Sequence, residues 1–272
     1  MAGEKRYAVV SCHVERPLDD RVWARFAALQ ASRPAGFRIA ALLRPPDPEA
    51  GEEETRWLER ARAAARHGPL GHHTHWGGPT QARPVPALDP GDSHVAVTGD
   101  GPAGRVRREG AWLREAGLRP TLFCGGGWYS DERVAEAAAE LGYTDCTATS
   151  FDPPYLELAA PRLHLDAPAR LELPSGRRLV EVPSTHSIGM LARALPRTLA
   201  EPLVHVYFHD SDLLDRRRSL ALRMALRLLA LRRTPSDLDR VVAAGVDRDL
   251  PFRAVLPGPV PRTIARSWRS LL

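Results

Sequence analysis

Three histidines lie close together in the segment Gly71-His72-His73-Thr74-His75-Trp76, between a helix-like stretch and a glycine-rich turn. Neutral imidazoles at this density suit a divalent metal such as zinc. Alternate residues of an extended segment point the same way, so His73 and His75 could bind one ion. His72 and His75 could do so from a tight turn. A histidine pair alone is a weak signal, so further ligands and catalytic groups must come from elsewhere.

Other candidate residues share one position, directly after a predicted strand. They are His13 and Glu15 after the first strand, Gly125 to Tyr129 after a later one, and His209 to Asp212 after the last clear one. In α/β barrels the carboxyl ends of the strands face one mouth, so these side chains should converge. Glu15 with His73 and His75 would leave open coordination positions, as a hydrolytic metal site needs.

The order of the predicted elements indicates the fold class. Strands alternate with helices over the first half of the chain, which favours parallel βα units. Residues 150–185 break this rhythm with extended segments that predict a hairpin around Ser175-Gly176. We therefore predict an α/β chain forming a (β/α) barrel, incomplete or distorted with fewer than eight strands. Residues 1–272 form a single domain in this interpretation, with 213–272 as a helical C-terminal extension.

Composition narrows the classes of function. The 272 residues carry a net charge of +5, which we ascribe mainly to a solvated arginine-rich surface. No nucleic-acid-binding motif appears, so we expect no nucleic-acid partner. The three cysteines are too few for a disulfide framework and are expected to be buried thiols. The charged N-terminus lacks an apolar signal core and no apolar run is long enough to span a membrane, so we expect a cytoplasmic protein.

The motifs, in order, resemble those of the polysaccharide deacetylase family, also called the NodB-homology or carbohydrate esterase 4 group. The resemblance covers roughly residues 7–215. Ser11–Glu15 resembles the first motif, although His13 stands where the family has an aspartate base. Gly71–Trp76 resembles the second, with its histidines closer together than usual. Val206–Asp210 resembles the last, while Phe123–Tyr129 replaces the usual arginine-containing third motif.

This resemblance implies a metal-dependent hydrolase that removes an N-acetyl or other acyl group from a sugar. Glu15, His73 and His75 would hold the divalent metal, with zinc expected. His13 could be the general base or a fourth ligand, and His209 would be the general acid. Backbone amides of the 125–127 turn could approach a substrate oxyanion. Further ligands or substrate contacts are expected among His72, Trp76, Gly126, Trp128 and Asp210.

Two alternatives stay open. The histidine in the base position could mark a catalytically silent relative that only binds glycan. Separately, the predicted helix 213–233 combines many arginines with a row of leucines. Such a helix could contact an anionic membrane surface, where a lipid-linked sugar would be within reach, or it could cover the barrel with its arginines in water.

Overall fold

The computed structural model describes residues 6–47, 51–76, 101–153, 156, 160–194 and 201–257. Within these ranges the chain folds into a mostly parallel sheet of eleven strands with seven α-helices. Residues 79–92, where the prolines indicate a loop, and residues 94–98, where the sequence favours a short strand, lie outside the described residues. Among the helices that are described, none is long and apolar enough to cross a membrane.

The bounds of the elements are as follows. The strands are β1 Tyr7–Val14, β2 Ala40–Leu43, β3 Leu70–Thr74, β4 Leu122–Gly125, β5 Thr144–Asp145, β6 Ala169–Glu172, β7 Arg178–Glu181, β8 His186–Ser187, β9 Leu203–His209, β10 Thr234–Pro235 and β11 Asp249–Pro251. The helices are α1 Asp20–Ser32, α2 Glu54–Ala65, α3 Gly101–Glu115, α4 Glu132–Glu140, α5 Ile188–Ala194, α6 Arg216–Ala230 and α7 Leu238–Ala243.

The sheet follows the order β11-β6-β7-β5-β4-β3-β2-β1-β9-β8, and β10 pairs with β1. Every pairing is parallel except that of β6 with β7, which form the predicted hairpin. The ends of this path, β11 and β8, do not pair with each other in the described chain. The predicted α/β fold with an incomplete barrel is therefore confirmed, although the sheet has eleven strands where fewer than eight were expected, because pairings of only two or three residues extend it.

Residues between β7 and β8 join the two sides of the barrel. The amide of Ser184 donates to the carbonyl of Ala148, beyond β5, at 2.8 Å, and the amide of Thr185 donates to His205 of β9 at 3.0 Å. The segment therefore spans from one side of the open sheet to the other. This near-closure turns the carboxyl ends of the central strands toward one mouth.

Alternation along the strands separates two environments. On β1, Val10, Cys12 and Val14 are fully buried against the helices that cover the outside of the sheet. Successive side chains of a strand point to opposite faces, so Ser11 and His13 point into the barrel. The same rule divides the residues of β3 and β9, and it decides which polar groups can reach the mouth.

Several predicted boundaries are wrong by a few residues, and one helix divides in two. The predicted helix 213–233 consists of a 3-10 turn, Asp210–Leu214, followed by α6. Asp215 causes the division, because its carboxylate accepts from the amides of Arg217 and Arg218 and caps the start of α6. Asp237 caps α7 in the same way, since its carboxylate accepts from the amide of Arg240.

Other boundaries change because backbone pairing decides them. β1 continues to Val14 and β9 to His209, since His13 and His209 pair across the two strands. The sequence favours a strand over residues 143–149, but regular strand pairing is confined to Thr144–Asp145. All three cysteines are free and buried, as expected.

Candidate metal centre

Glu15, His73 and His75 converge at the mouth, at the carboxyl ends of β1 and β3. The Nε2 atom of His75 lies 3.2 Å from Oε1 of Glu15 and 3.1 Å from Nε2 of His73. The Nε2 atom of His73 lies 3.8 Å from the same carboxylate oxygen. Both histidines are buried, while the Glu15 side chain is 29% exposed. Three donor atoms therefore face one small volume that opens toward solvent.

A backbone contact orients His73 for ligation. Its Nδ1–H donates to the carbonyl of Cys124, on the neighbouring strand β4, at 2.9 Å. A neutral imidazole that donates through Nδ1 keeps an electron pair on Nε2. That electron pair points at the Nε2 atom of His75 and at Glu15. A carbonyl that fixes the tautomer in this way is the usual support of a metal-binding histidine.

The donor set fits a zinc-type ion. Two imidazole nitrogens and one carboxylate oxygen are ligands that Zn²⁺ commonly takes in hydrolases. Tetrahedral zinc with bonds near 2.0–2.2 Å separates its ligand atoms by about 3.3–3.5 Å. The separations of 3.1, 3.2 and 3.8 Å among His73, His75 and Glu15 bracket that spacing. The Nδ1 atom of His75 is buried and has no hydrogen-bond partner among the described residues.

Electrostatics favour the cation-binding forms of Glu15 and His75. Burial opposes the charge of Glu15, but hydrogen bonds with His73 and His75 hold its pKa well below the usual range. Burial lowers the pKa of His75, which favours the neutral imidazole even beside a carboxylate. An ionised carboxylate and a neutral imidazole are the protonation states that a metal requires.

His209 lies across the mouth, where β9 ends. Its Nε2 atom is 3.6 Å from Oε1 of Glu15. Its backbone amide donates to the carboxylate of Asp212 at 3.0 Å. Burial lowers the pKa of His209, while Glu15 and Asp212 oppose that shift. The side chain is 20% exposed, so it can meet a substrate at the mouth.

Asp210 supports the mouth from below and does not line it. It is fully buried, and its Oδ2 atom accepts from the amide of Arg16 at 2.8 Å. Its Oδ1 atom accepts from the amide of Ser211 at 2.8 Å. These bonds tie the turn that follows Glu15 to the end of β9. Burial raises the pKa of Asp210 to about 6.

His13 lies deeper than the three donors, beneath His73. The two ring centroids are 4.6 Å apart, and His13 is only 2% exposed. Its Nε2 atom is 3.8 Å from the thiol sulfur of Cys124. Burial, with His73 next in importance, lowers the pKa of His13 well below the ordinary value. It is therefore a neutral imidazole at the floor of the site.

His72 points away from this site, although the sequence placed it among the possible ligands. It lies on the other face of β3, where its Nε2–H donates to Glu109 of α3 at 2.8 Å. Thr74 and Arg105 donate to the carboxylate of Glu109, each at 2.8 Å. The strand conformation of β3 therefore separates His72 from His73 and His75 by alternation alone.

The glycine turn after β4 brings two tryptophans to the site. Trp76 donates from Nε1 to the carbonyl of Gly126 at 3.0 Å, which joins the end of β3 to the turn. Trp128 is buried, has the unusual φ of 63°, and lies 5.7 Å from the ring of His13. The amide of Gly125 donates to Thr147 at 2.8 Å, so this amide is engaged within the protein and does not point at a substrate.

Two supporting residues were missed by the sequence analysis. Arg44 donates from Nε to the carbonyl of Glu15 at 3.0 Å and so holds the backbone of that residue. It follows β2 directly, and the rule that polar groups after strands gather at the mouth would have found it. Cys124 was expected only as a buried thiol, and no sequence signal indicates that its carbonyl orients His73.

Solved structures of other proteins share the fold of this chain, although its sequence finds no match. No protein-family model matches the chain, and no curated protein does. A structure assigned to the polysaccharide deacetylases, from Mycobacterium smegmatis, superimposes with a TM-score of 0.58 at 16% identity, covering 96% of this chain and 96% of that one.

A 4-alpha-glucanotransferase from Thermococcus litoralis also superimposes, with a TM-score of 0.55 at 9% identity. That match covers 92% of this chain and 42% of the larger protein, so the chain spans less than half of the transferase. At identities this low the superpositions show a shared fold only. The chemistry has to be inferred from the residues of the site. The chain is thus similar in fold to the polysaccharide deacetylases, as its motifs predicted.

Proposed function

We propose that this protein is a metal-dependent hydrolase that removes an acyl group, most simply N-acetyl, from a sugar or glycan precursor. The observation that carries the proposal is the cluster of Glu15, His73 and His75 with His209 across the mouth. Three ligand atoms from two strands leave room for substrate, as catalytic metal sites require and structural sites do not. Deacetylase-like relatives in fold support the choice of a sugar substrate.

Glu15, His73 and His75 would hold a divalent ion, for which zinc is our proposal. Such an ion supplies Lewis acidity that polarises an acyl carbonyl and makes bound water acidic near neutral pH. Glu15 contributes the negative charge of the ligand set. The contact of His73 with Cys124 keeps the Nε2 electron pair directed at the ion. Arg44 holds the backbone of Glu15 in place.

His209 is suited to the proton transfer that releases the product. Amide hydrolysis needs a proton on the leaving amine, and histidine donates protons well near neutral pH. Its Nε2 atom is directed at the mouth, 3.6 Å from Glu15, and its backbone is held by Asp212. In our proposal His209 gives this proton.

His13 is assigned as the proton acceptor. It takes the position of the family's aspartate base, and a neutral imidazole has one ring nitrogen that can accept a proton, although burial lowers its pKa and opposes the charged form. Its ring lies 4.6 Å from that of His73, so this transfer would run inward from the mouth. A His13→Asp change restores the family pattern and tests this role.

Elemental analysis of purified protein tests the proposal first. We expect about one equivalent of zinc in the wild-type protein and none in the Glu15→Ala, His73→Ala, His75→Ala triple variant. His72→Gln is the matched control, because it changes a neighbouring histidine outside the cluster and should retain the metal. Acetate release from N-acetylated chito-oligosaccharides then tests the reaction. Wild-type protein that binds no metal even after reloading would contradict the proposal.

A second candidate function is a catalytically silent glycan-binding protein. It is favoured by the depth of His13, which is 2% exposed at the position where a base would work. His209→Ala separates the two functions. If the protein is an enzyme, His209→Ala abolishes turnover and leaves the metal content unchanged. If it is a binding protein, neither wild type nor the variant shows turnover, and both bind glycan.

A further inference from the structure

The outward face of α6 exposes apolar side chains that the core does not use. Five large hydrophobic side chains are exposed in the described part of the chain, and four of them belong to α6 and the residue that ends it. They are Leu220, Met224, Leu228 and Leu231, with exposures of 59, 52, 44 and 81%. Steps of four, four and three positions place them on one helix face, here named the α6 stripe.

The stripe is not the result of a loosely attached helix. On the opposite face, Leu222, Leu226 and Leu229 are fully buried in the core. Asp215 caps the first turn, and α6 packs against α5. The helix is therefore anchored on one side while it presents a continuous apolar row on the other.

Arginines border the stripe. Helical spacing places Arg216, Arg223 and Arg227 along one flank, with Arg217 in the first turn, and Arg232 follows just beyond the end of the helix. Residues 216–236 contain no aspartate or glutamate. Guanidinium groups stay charged at any physiological pH, so this face is basic under all such conditions. Arginine stems can also lie along an apolar surface while their charged ends reach outward.

We propose that the α6 stripe and its arginine border bind the surface of an anionic lipid bilayer. Apolar side chains at the centre of a helix face, bordered by cations, match the acyl boundary and the anionic headgroups of such a surface. If a second copy docked through the same stripe, the arginines that border the two stripes would lie close together, and their like charges would repel. Charge complementarity therefore selects a negatively charged partner surface.

The position of α6 adds a consequence for the mouth. Arg218, in its first turn, pairs with Asp212, which accepts from the amide of His209. One ion pair thus separates the start of the docked helix from the candidate site. The bilayer contact holds the mouth near the membrane surface. This inference does not depend on the proposed hydrolysis.

Sedimentation with lipid vesicles tests the proposal on the full-length protein. We expect binding to vesicles of phosphatidylcholine with phosphatidylglycerol and far weaker binding to phosphatidylcholine alone. High salt should weaken the interaction, because screening reduces the attraction between arginines and headgroups. Equal binding to both kinds of vesicle, or no binding to either, would overturn the proposal.

Two variants separate the contributions of the stripe and the arginines. Arg223→Gln with Arg227→Gln should weaken partitioning by about 30-fold, because each arginine near an anionic surface contributes about 1 kcal/mol. Leu220→Ser, Met224→Ser and Leu228→Ser together leave the charge unchanged and should weaken it by at least about tenfold. Both sets change side chains on the outward face, so the melting temperature should stay near that of wild type.

Arg108→Gln with Arg133→Gln is the matched control, since it removes two charges from exposed positions on α3 and α4. It should bind vesicles like wild type. An equal loss in this control would show a response to net charge only and overturn the assignment to α6. Analytical ultracentrifugation without lipid provides a separate check. A dimer abolished by the serine variant, in protein that ignores vesicles, would assign the stripe to a second copy instead.

Discussion

Two histidine–glutamate clusters lie on the two faces of β3, and they differ in how completely they are satisfied. On the outer face, Glu109 accepts from His72, Thr74 and Arg105, all at 2.8 Å. On the inner face, Glu15 lies 3.2 to 3.8 Å from His73, His75 and His209. The same residue types thus form a closed hydrogen-bonded network on one side and an open set of donor atoms on the other.

The difference arises from what each neighbouring element contributes. Helix α3 covers the outer face and supplies both a carboxylate and Arg105, so the charge of Glu109 is balanced within the protein. The inner face meets strand ends and solvent, and its carboxylate faces the imidazole of His75, whose pKa burial lowers. A cluster balanced internally contributes to stability, whereas one that lacks a cation is suited to bind one.

The largest effect should come from removing His72. His72→Ala leaves Glu109 without one of its donors and opens a cavity beside Phe123, so the free energy of unfolding should fall by about 3 kcal/mol. Urea denaturation measures this change. His73→Ala serves as the comparison, and it should cost less stability in metal-free protein but abolish zinc binding. If both substitutions lowered stability equally, the contrast between the two faces would fail.

Zinc should stabilise the protein through the inner cluster alone. At a free concentration about 100 times the dissociation constant, a ligand that binds only the folded state adds about 2.7 kcal/mol. Thermal unfolding with and without zinc measures the shift in wild type. His75→Ala should lose the shift and His72→Gln should keep it. Persistence of the shift in His75→Ala would place the ion elsewhere.

Acid should weaken the outer cluster. Burial alone would raise the pKa of Glu109, but its contacts with His72 and Arg105 lower it to about 2. A carboxylate with a depressed pKa stabilises the fold above its ordinary pKa, and this stability is lost as pH falls toward the folded value. Between pH 6 and pH 3 we expect Glu109 to account for about 2 kcal/mol of lost stability. The loss should be absent from Glu109→Gln, and an unchanged pH profile in that variant would contradict the assignment.

A third buried cluster contains two carboxyl groups that lie beside each other, without a histidine between them. Asp145 and Glu181 are fully buried in the barrel wall. Burial raises the pKa of Asp145 to about 6 and, together with the neighbouring Asp145, raises that of Glu181 well above its usual value. Raised carboxyl pKa values favour the fold at low pH, and this contribution is lost as pH rises through them.

The smallest expected effect follows from neutralising this pair. Glu181→Gln should raise the free energy of unfolding at pH 8 by about 1 kcal/mol, because an amide needs no proton to be neutral and can donate to Asp145. At pH 4 the variant should match wild type or be slightly less stable. Denaturation at both pH values measures the difference. If the variant were less stable than wild type at pH 8, ionisation of the two carboxyl groups would not be the cause of the stability lost as pH rises.

The elements with strong periodicity were predicted well. The apolar runs 7–12 and 203–208 predict β1 and β9, and the amphipathic stretches 19–31 and 131–141 predict α1 and α4, each within a few residues. Buried runs and amphipathic stripes depend on local sequence, so they can be recognised without the tertiary structure. Boundaries that depend on pairing or capping were less well predicted. His13 belongs to β1 because it pairs with His209, and α6 begins where Asp215 caps it.

The sequence alone determined the residue types of the site and their places after strands. From these it could nominate Glu15, His73, His75 and His209, since parallel strands bring their carboxyl ends to one mouth. It left open whether His72 or His73 would accompany His75, because a turn and a strand direct these side chains differently.

Only the tertiary structure decided that choice. Pairing with β2 and β4 makes residues 70–74 a strand, and the alternation of side chains then directs His72 toward Glu109 and His73 toward Glu15. It also set the depth of His13 and the contact between His73 and the carbonyl of Cys124. These features depend on which distant strands lie side by side, and that information is not local to any segment of the chain.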